Sequence, residues 1–203
     1  MENYKVDEKV FNFEDIDLSK TYSYADYLKW EFDERLELIR GKIFTMSPGP
    51  NTFHQQVSGV VFNAIFNHLK NKPCKVFAAP FDVRFPRKSE EDIEILTVLQ
   101  PDICVICDLL KIDKRGCFGA PDIVVEILSP GNNQKELKIK YEVYEEAGVL
   151  EYWIIHPEEK TFMKYSLNVD GRFQPSRLLT FGDEVTSLAL QGFCLNLDEV
   201  FKD

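Results

Sequence analysis

Two carboxylates and one lysine occupy positions in this sequence where a charged side chain is costly. Glu126 lies inside the apolar run APDIVVEILS (120–129), whose β-branched residues predict a strand buried on both faces. Asp102 enters a second apolar strand, predicted over Val98–Cys107, and Lys140 lies on the helix predicted to follow Glu126. A buried ionised group needs a cation, a hydrogen-bond donor or an opposite charge. For a buried carboxylate, the ordinary explanation is a structural ion pair. For a lysine, the ordinary explanation is that its long aliphatic stem covers apolar surface while the ammonium group reaches water.

Lys140 is predicted to lie on the packing face of its helix, which the sequence predicts over Asn133–Gly148. At 3.6 residues per turn, the apolar face of this helix contains Lys140 together with Leu137, Tyr141, Tyr144 and Ala147. A lysine that faces a strand with a buried carboxylate indicates a specific pair. We therefore expect the ammonium group of Lys140 to lie near Glu126.

The chemistry that these residue types can perform together is phosphodiester hydrolysis. Carboxylates that converge from neighbouring strand ends suit a hard divalent cation such as Mg²⁺ or Mn²⁺. Such an ion polarises a phosphodiester and activates a water molecule, and a lysine beside the scissile phosphate stabilises the developing charge. Asp102, Glu126 and Lys140 therefore predict a metal-dependent phosphodiesterase site.

Three predicted elements precede these strands. Apolar and aromatic residues at helical spacing predict a helix over 21–33. Residues 35–46 are predicted to form two short strands, or one strand bent at Gly41. Glu37 lies in the first part, where it is expected to face solvent unless it has a function. An amphipathic helix is predicted over 51–70 with His54 in its first turn, where a lone histidine is more often a surface or capping residue than a catalyst.

The order of the elements predicts an α+β fold. A further strand is predicted over Leu150–Ile155, and strands and turns alternate from there to the end of the chain. We expect a mixed β-sheet flanked by helices, with additional C-terminal antiparallel strands. Residues 1–20 are expected to form a lead-in, and residues 21–203 a single domain.

Composition limits the possible functions. The chain has 203 residues with 44% hydrophobic and 13% aromatic content, which is typical of a globular protein. Its net charge of -10 argues against constitutive nucleic-acid binding driven by charge, although an enzyme with a local basic patch and a bound metal remains compatible. The polar N-terminus does not resemble a secretory signal, and no run approaches the length of a membrane span. We expect a cytoplasmic protein without a membrane segment.

The cysteines predict neither a disulfide framework nor a zinc site. The sequence contains five, at Cys74, Cys104, Cys107, Cys117 and Cys194. An odd, scattered set in a cytoplasmic chain is expected to consist of thiols. Cys104 and Cys107 form one C-x-x-C, but they lie in a predicted strand, where their odd spacing points them to opposite faces. We therefore interpret both as structural residues.

Five segments of the chain form a pattern that is specific when they are taken together and in this order. They are E-L-I-x-G (37–41), M-S-P (46–48) with His54 after it, Q-P-D-I (100–103), A-P-D-I-V-V-E-I-L-S-P (120–130), and Lys140-x-x-x-Tyr144 followed by A-G-V-L-E-Y-W-I-I (147–155). This pattern closely resembles the Uma-type family of restriction endonucleases, within the PD-(D/E)XK nuclease superfamily. The resemblance runs from about Tyr22 to the C-terminus and implies a restriction-endonuclease-like fold.

The resemblance also implies a set of metal ligands. Asp102 would be the aspartate of the PD motif, and Glu126 the acidic residue of the D/E-x-K motif. The main-chain carbonyl of Ile127 would be a further ligand. Glu37 would be the early acidic residue that completes the shell around Mg²⁺ or Mn²⁺.

The resemblance assigns the remaining polar residues to catalysis and to the substrate. Leu128 occupies the lysine position of the D/E-x-K motif and cannot assist the reaction. In this family the lysine has moved to the following helix, which implies a catalytic role for Lys140. His54 matches the N-terminal pattern and is our candidate for substrate binding.

Two functions from different classes fit these residues. The first is a metal-dependent DNA endonuclease that works as a homodimer, since an enzyme that cuts both strands is usually a symmetric pair. The second is an inactive nuclease fold that binds nucleic acid or protein, which the acidic composition favours. A structural dimer protein is a third alternative. The carboxylates and the inward-facing lysine favour the first.

Overall fold

The computed structural model describes residues 9–46, 51–87, 89–129 and 134–202. Its strands are β1 Leu36–Ile39, β2 Lys42–Thr45, β3 Lys75–Ala78, β4 Val83–Arg84, β5 Val98–Leu99, β6 Ile103–Ile106, β7 Ile112–Asp113, β8 Gly116–Phe118, β9 Ile123–Ile127, β10 Glu151–His156, β11 Thr161–Leu167, β12 Phe173–Pro175, β13 Glu184–Thr186 and β14 Cys194–Asn196. Its α-helices are α1 Tyr24–Tyr27, α2 Thr52–His68, α3 Gln134–Ala147 and α4 Leu197–Val200, and short 3-10 helices cover Phe13–Asp15, Asp92–Glu94 and Leu109–Lys111.

The described residues form two compact units, one from 9–46 and 84–99 and the other from 51–83 and 100–202. In the first unit β1 pairs antiparallel with both β2 and β5, so the two strands predicted over 35–46 are confirmed. Gly41 has a φ of +77° in the turn between β1 and β2, a backbone conformation that glycine adopts without steric cost. The single domain expected from the sequence stays a prediction.

The second unit is built on one six-stranded sheet in the order β12-β11-β10-β9-β6-β3. β9 and β10 are parallel, and the other neighbouring pairs are antiparallel. A parallel pair needs a long crossover, and α3 lies in the connection between β9 and β10. β13 and β14 form a separate antiparallel pair after this sheet. The predicted α+β fold, with a mixed sheet and additional C-terminal antiparallel strands, is confirmed.

The two faces of β9 contact different helices. Ile123, Val125 and Ile127 belong to the same buried core as Val57, Val61 and Ile65 of α2. Glu126 points to the opposite face, where Tyr144 of α3 contacts it. This division follows from the alternation of side chains along a strand. All five residues of β9 are buried, as its apolar run predicts.

The helix predicted over 51–70 is confirmed as α2. Asn51 caps it, because its side chain accepts a hydrogen bond of 2.8 Å from the backbone N–H of His54. His54 therefore lies in the first turn, as expected from the sequence. α2 has 17 residues, and among the described residues no helix is both long and apolar enough to cross a bilayer.

The helix predicted over 21–33 is much shorter than expected. α1 covers only Tyr24–Tyr27, and a capping box between Ser23 and Asp26 begins it. The aromatic residues after it pack on one another without a helix, since the rings of Trp30 and Phe32 stack at 6.1 Å. Their spacing in the sequence therefore reflects an aromatic cluster and not a helical face.

The prediction that all five cysteines are thiols is wrong for two of them, because Cys74 and Cys107 form a disulfide. The pairing of β3 with β6 explains this bond. Lys75 is opposite Ile106 in the register, so the residues just outside this pair face each other. The sequence could not show this contact, because 33 positions separate the two cysteines. Cys104 is buried without a disulfide, as expected for a structural residue.

Candidate functional site

Asp102 and Glu126 face each other at the end of two neighbouring strands. The antiparallel register of β6 and β9 pairs Ile103 with Val125. The next pair in this register is Asp102 with Glu126, and directly opposed residues in a sheet have Cβ atoms about 4.5–5.5 Å apart on the same face. The structure therefore brings together the two carboxylates that the sequence singles out.

The carboxylate of Asp102 is fixed by the backbone of the next strand. Its Oδ2 accepts a hydrogen bond of 2.7 Å from the backbone N–H of Ile127 and lies 3.4 Å from Nε2 of His54. The carbonyl oxygen of Asp102 accepts a hydrogen bond of 3.0 Å from the backbone N–H of Ala79. Within the described residues, its Oδ1 makes no hydrogen bond and is available to a ligand.

The carboxylate of Glu126 is buried and held from the α3 side. Oε1 accepts a hydrogen bond of 2.7 Å from the hydroxyl of Tyr144, and Nζ of Lys140 lies 3.3 Å from both carboxylate oxygens. The exposed fractions of Glu126, Lys140 and Tyr144 are 7%, 5% and 0%. Water therefore screens this ion pair little, and the charges of the pair compensate each other.

Helical spacing explains how α3 supplies both partners of Glu126. Lys140 and Tyr144 are four residues apart, so they lie one above the other on the same face of the helix. Lys138, two residues before Lys140, is exposed. The structure thus places Lys140 on the packing face, beside Glu126, as its spacing indicates. The alternative that Lys140 extends along apolar surface to reach solvent does not fit its burial.

His54 is also buried, although a histidine in the first turn of a helix is more often at the surface. Burial by itself would lower the pKa of His54, but the contact with Asp102 and its negative charge raise it above the ordinary value. The carbonyl of Ile127 and the charge of Glu126 act in the same direction. Nδ1 of His54 is buried and makes no hydrogen bond with any described residue. The structure therefore places His54 directly against Asp102.

The donor chemistry fits a hard cation with few protein ligands. Carboxylate and carbonyl oxygens from Asp102, Glu126 and Ile127 are the donor types that Mg²⁺ and Mn²⁺ prefer. Among the described residues, no group of three or more His, Cys, Asp or Glu side chains could hold a metal ion. Two carboxylates are nevertheless enough for Mg²⁺, which usually keeps several waters and binds substrate phosphates.

Glu37, the fourth predicted ligand, lies in the first compact unit. It belongs to β1, and its exposed fraction is 1%. A solvated strand position, which the sequence favours in the absence of a function, does not fit this burial. Its role in metal binding stays a prediction.

Sequence reasoning missed the role of Tyr144. From the sequence, Tyr144 is assigned to the apolar face of α3, because tyrosine has a large apolar body. The hydroxyl group is what matters here, since a buried tyrosine hydroxyl usually needs a hydrogen-bond partner. Its position four residues after Lys140 was the signal that could have revealed it, because any side chain that Lys140 reaches lies within reach of residue 144 as well.

Comparison with known proteins identifies a family and individual proteins to which this chain is similar. Residues 24–198 match the Uma2 family, described as "Putative restriction endonuclease". The uncharacterized protein slr1290 of Synechocystis sp. (strain ATCC 27184 / PCC 6803 / Kazusa) is 24% identical over 149 residues, which are 72% of this chain and 74% of that protein.

A solved structure confirms the fold. A crystal structure from Anabaena variabilis ATCC 29413, described as "a putative nuclease belonging to DUF820", matches with a TM-score of 0.68. The match has 20% sequence identity and covers 88% of this chain and 97% of the other. At this identity the likeness shows the fold alone.

The contact between His54 and Asp102 predicts how two histidines titrate in the metal-free protein. His54 should lose its proton above the ordinary histidine pKa of about 6.5, because Asp102 raises its pKa. His68 should titrate below it, because burial and the charge of Lys72 lower its pKa. Ring-nitrogen NMR, with His54→Gln for assignment, measures both. Asp102→Asn should lower the His54 midpoint and leave His68 unchanged, and an unchanged His54 midpoint contradicts the contact.

The same contact makes part of the stability depend on pH. A pKa raised by folding stabilises the native state most below the unfolded pKa, and this contribution is lost as pH rises through the folded pKa. The difference in unfolding free energy between the wild type and His54→Gln should therefore be largest in acid and shrink above neutral pH. Urea titrations at several pH values measure it.

Proposed function

Since the chain belongs to the Uma2 family, we propose that it is a metal-dependent endonuclease that hydrolyses phosphodiester bonds in DNA. One observation carries this proposal. The opposed carboxylates of Asp102 and Glu126 lie at one end of the sheet, and a buried lysine contacts the second of them. The family description supports a nuclease-like function, and the donor types of the site support metal dependence.

Asp102, Glu126 and the carbonyl of Ile127 would hold Mg²⁺ or Mn²⁺. A cation bound there would act as a Lewis acid on the phosphodiester and lower the pKa of a bound water. The backbone N–H of Ile127 and the His54 ring keep Asp102 in place on the neighbouring strand. We retain Glu37 as a further proposed ligand from the first compact unit.

Lys140 is the proposed catalytic cation. In hydrolysis, a water oxygen attacks phosphorus, the bond from phosphorus to one bridging oxygen breaks, and the leaving oxygen takes up a proton. The ammonium group of Lys140 would orient the water or stabilise the negative charge that develops on the phosphate. Lys140 would thus replace the lysine that Leu128 cannot supply.

Tyr144 and His54 are proposed to position other groups. The hydroxyl of Tyr144 bonds one oxygen of Glu126, so it limits rotation of that carboxylate. Nε2 of His54 contacts Asp102, and its buried Nδ1 makes no hydrogen bond with any described residue. We therefore keep it as the proposed substrate-binding residue.

The cytoplasmic location also stays a prediction.

Metal binding predicts a measurable gain in stability. Two close carboxylates repel each other, and a ligand that binds only the native state stabilises it by mass action. We expect Mn²⁺ or Mg²⁺ to raise the melting temperature, and Glu126→Gln to abolish the rise. Glu142→Gln, on the same helix as Lys140, is the charge-matched control and should keep it. An equal rise in both variants would remove Glu126 from the proposed site.

Substitution of Lys140 tests the proposed chemistry. Lys140→Ala should lower the rate of cleavage of plasmid or oligonucleotide DNA about 10²–10³-fold, the usual cost of one well-placed donor. Lys140→Gln, which keeps a donor but removes the charge, should also lose rate. Lys138→Ala is the control, because this lysine is exposed two residues away. Circular dichroism should accompany each assay, since breaking a buried ion pair costs about 3–5 kcal/mol.

The same assay decides between the two candidate functions. Equal cleavage rates in Lys140→Ala and Lys138→Ala would contradict the catalytic role of Lys140. Absence of cleavage in the wild type with Mg²⁺ and Mn²⁺, on single- and double-stranded substrates, would favour a nuclease fold that binds nucleic acid or protein without cutting.

We also propose a homodimer. An enzyme that cuts both strands of a two-fold symmetric duplex usually presents two copies of its site. Light scattering at micromolar concentration should give about twice the chain mass of 23.6 kDa. A mass equal to that of one chain would contradict this prediction.

A further inference from the structure

A basic depression lies beyond the C-terminal end of α2, in the second compact unit. Three lysines line it, Lys70, Lys72 and Lys75, together with the exposed ring of Phe66. Its volume is about 370 Å³. No acidic side chain is among the described residues that line it. Although the chain has a net charge of -10, such a local surface attracts anions.

No carboxylate of the described residues neutralises the lysines of the basic depression. Nζ of Lys70 lies 5.9 Å from the centre of the Phe66 ring, an attractive contact that keeps the charge. Nζ of Lys72 lies 2.7 Å from Nε2 of His68. Within the described part of the chain, none of the three lysines forms an ion pair. By contrast, the guanidinium group of Arg172 elsewhere on the surface forms an ion pair with the carboxylate of Glu145.

The pKa of His68 is lowered by the positive charge at this place. Burial lowers the pKa of His68, and the charge of Lys72 lowers it further. The carbonyl of Gln191 acts in the opposite direction but does not cancel these two effects. His68 therefore accepts a hydrogen bond from Lys72 in its neutral form, and the positive charge of Lys72 remains available to a ligand.

α2 connects the basic depression to the candidate site. His54, in the first turn of the helix, contacts Asp102, and Lys70 follows its last residue, His68. At 1.5 Å per residue, His54 and His68 are about 21 Å apart along the helix axis. The pairing of β3 with β6 agrees, since Lys75 is opposite Ile106 at the other end of the strand that begins after Asp102.

We propose that the basic depression binds backbone phosphates of the nucleic-acid strand on which the candidate site acts. Lys70, Lys72 and Lys75 would each meet phosphate oxygens as point charges. Measured along the axis of a duplex, the phosphates of one strand rise about 3.4 Å per step, so about six steps cover the axial distance between His54 and His68. The inference rests on the proposed nuclease function and adds a second contact to it. Free inorganic phosphate offers the same oxygen ligands as a nucleic-acid backbone, and the experiment below distinguishes the two.

Binding of labelled oligonucleotides to the full chain tests this proposal. Fluorescence anisotropy in EDTA, which prevents cleavage, should be measured against salt concentration for a 20-base-pair duplex. The variant is Lys70→Gln with Lys75→Gln. The control is Lys160→Gln with Lys202→Gln, which changes the net charge equally. Lys160 is a matched choice, because its Nζ also lies over an aromatic ring, 5.3 Å from the centre of Phe181.

The expected result is a specific loss of salt dependence. Each lost phosphate contact reduces the slope of log K against log salt by about 0.9, so the variant should lose about 1.8 and the control nothing. Equal slopes in variant and control would overturn the proposal. The proposal would also be overturned if millimolar inorganic phosphate bound in a way that depends on Lys70 and Lys75 while oligonucleotide binding did not depend on them. That result would identify a site for free anions.

The proposed function fails separately from the proposed contact. A wild-type chain that binds neither duplex nor single strands contradicts nucleic acid as the substrate. A wild-type chain that binds and cuts DNA, with a slope that Lys70→Gln and Lys75→Gln leave unchanged, keeps the nuclease function and removes the basic depression from it.

Discussion

Compensation of the buried carboxylate of Glu126 is the constraint on which the candidate site depends. An uncompensated charge in a buried strand costs several kcal/mol, so the fold must provide a cation and a donor at this one point. α3 provides both, with the ammonium of Lys140 and the hydroxyl of Tyr144. The position and rotation of α3 are therefore coupled to the chemistry, because a helix that supplied only apolar side chains would leave the strand unstable.

Because side chains alternate between the two faces of β9, core packing and the candidate site lie on opposite faces of the sheet. Ile123, Val125 and Ile127 are committed to the core beneath α2, while Glu126 faces α3. Backbone hydrogen bonding adds precision, because the N–H of Ile127 bonds the carboxylate of Asp102 on the neighbouring strand. Strand pairing thus fixes the separation of the two carboxylates, and neither needs a flexible loop to reach the other.

Much of this arrangement could be predicted from the sequence, because it depends on short-range periodicity. The apolar run around Glu126 indicates a buried strand, and the spacing of Lys140 from its apolar neighbours indicates its face. Contacts between distant segments could not be predicted in the same way. The disulfide between Cys74 and Cys107 depends on the register of two strands, and no local pattern reports a register. The contact of His54 with Asp102 likewise depends on where α2 begins relative to the sheet.

The arrangement also bears on the proposed function, in which an acidic chain would act on a polyanion. Asp102 and Glu126 each have a basic partner, His54 for Asp102 and Lys140 for Glu126. With His54 protonated, the charges of these four side chains sum to zero, so the proposed phosphate substrate would meet no net charge from them in an otherwise negative protein. The pairs hold both carboxylates in place, and a cation bound as proposed would compete with Lys140 for the oxygens of Glu126. The affinity for the proposed metal would therefore depend on the strength of the Lys140–Glu126 pair as much as on the number of carboxylates.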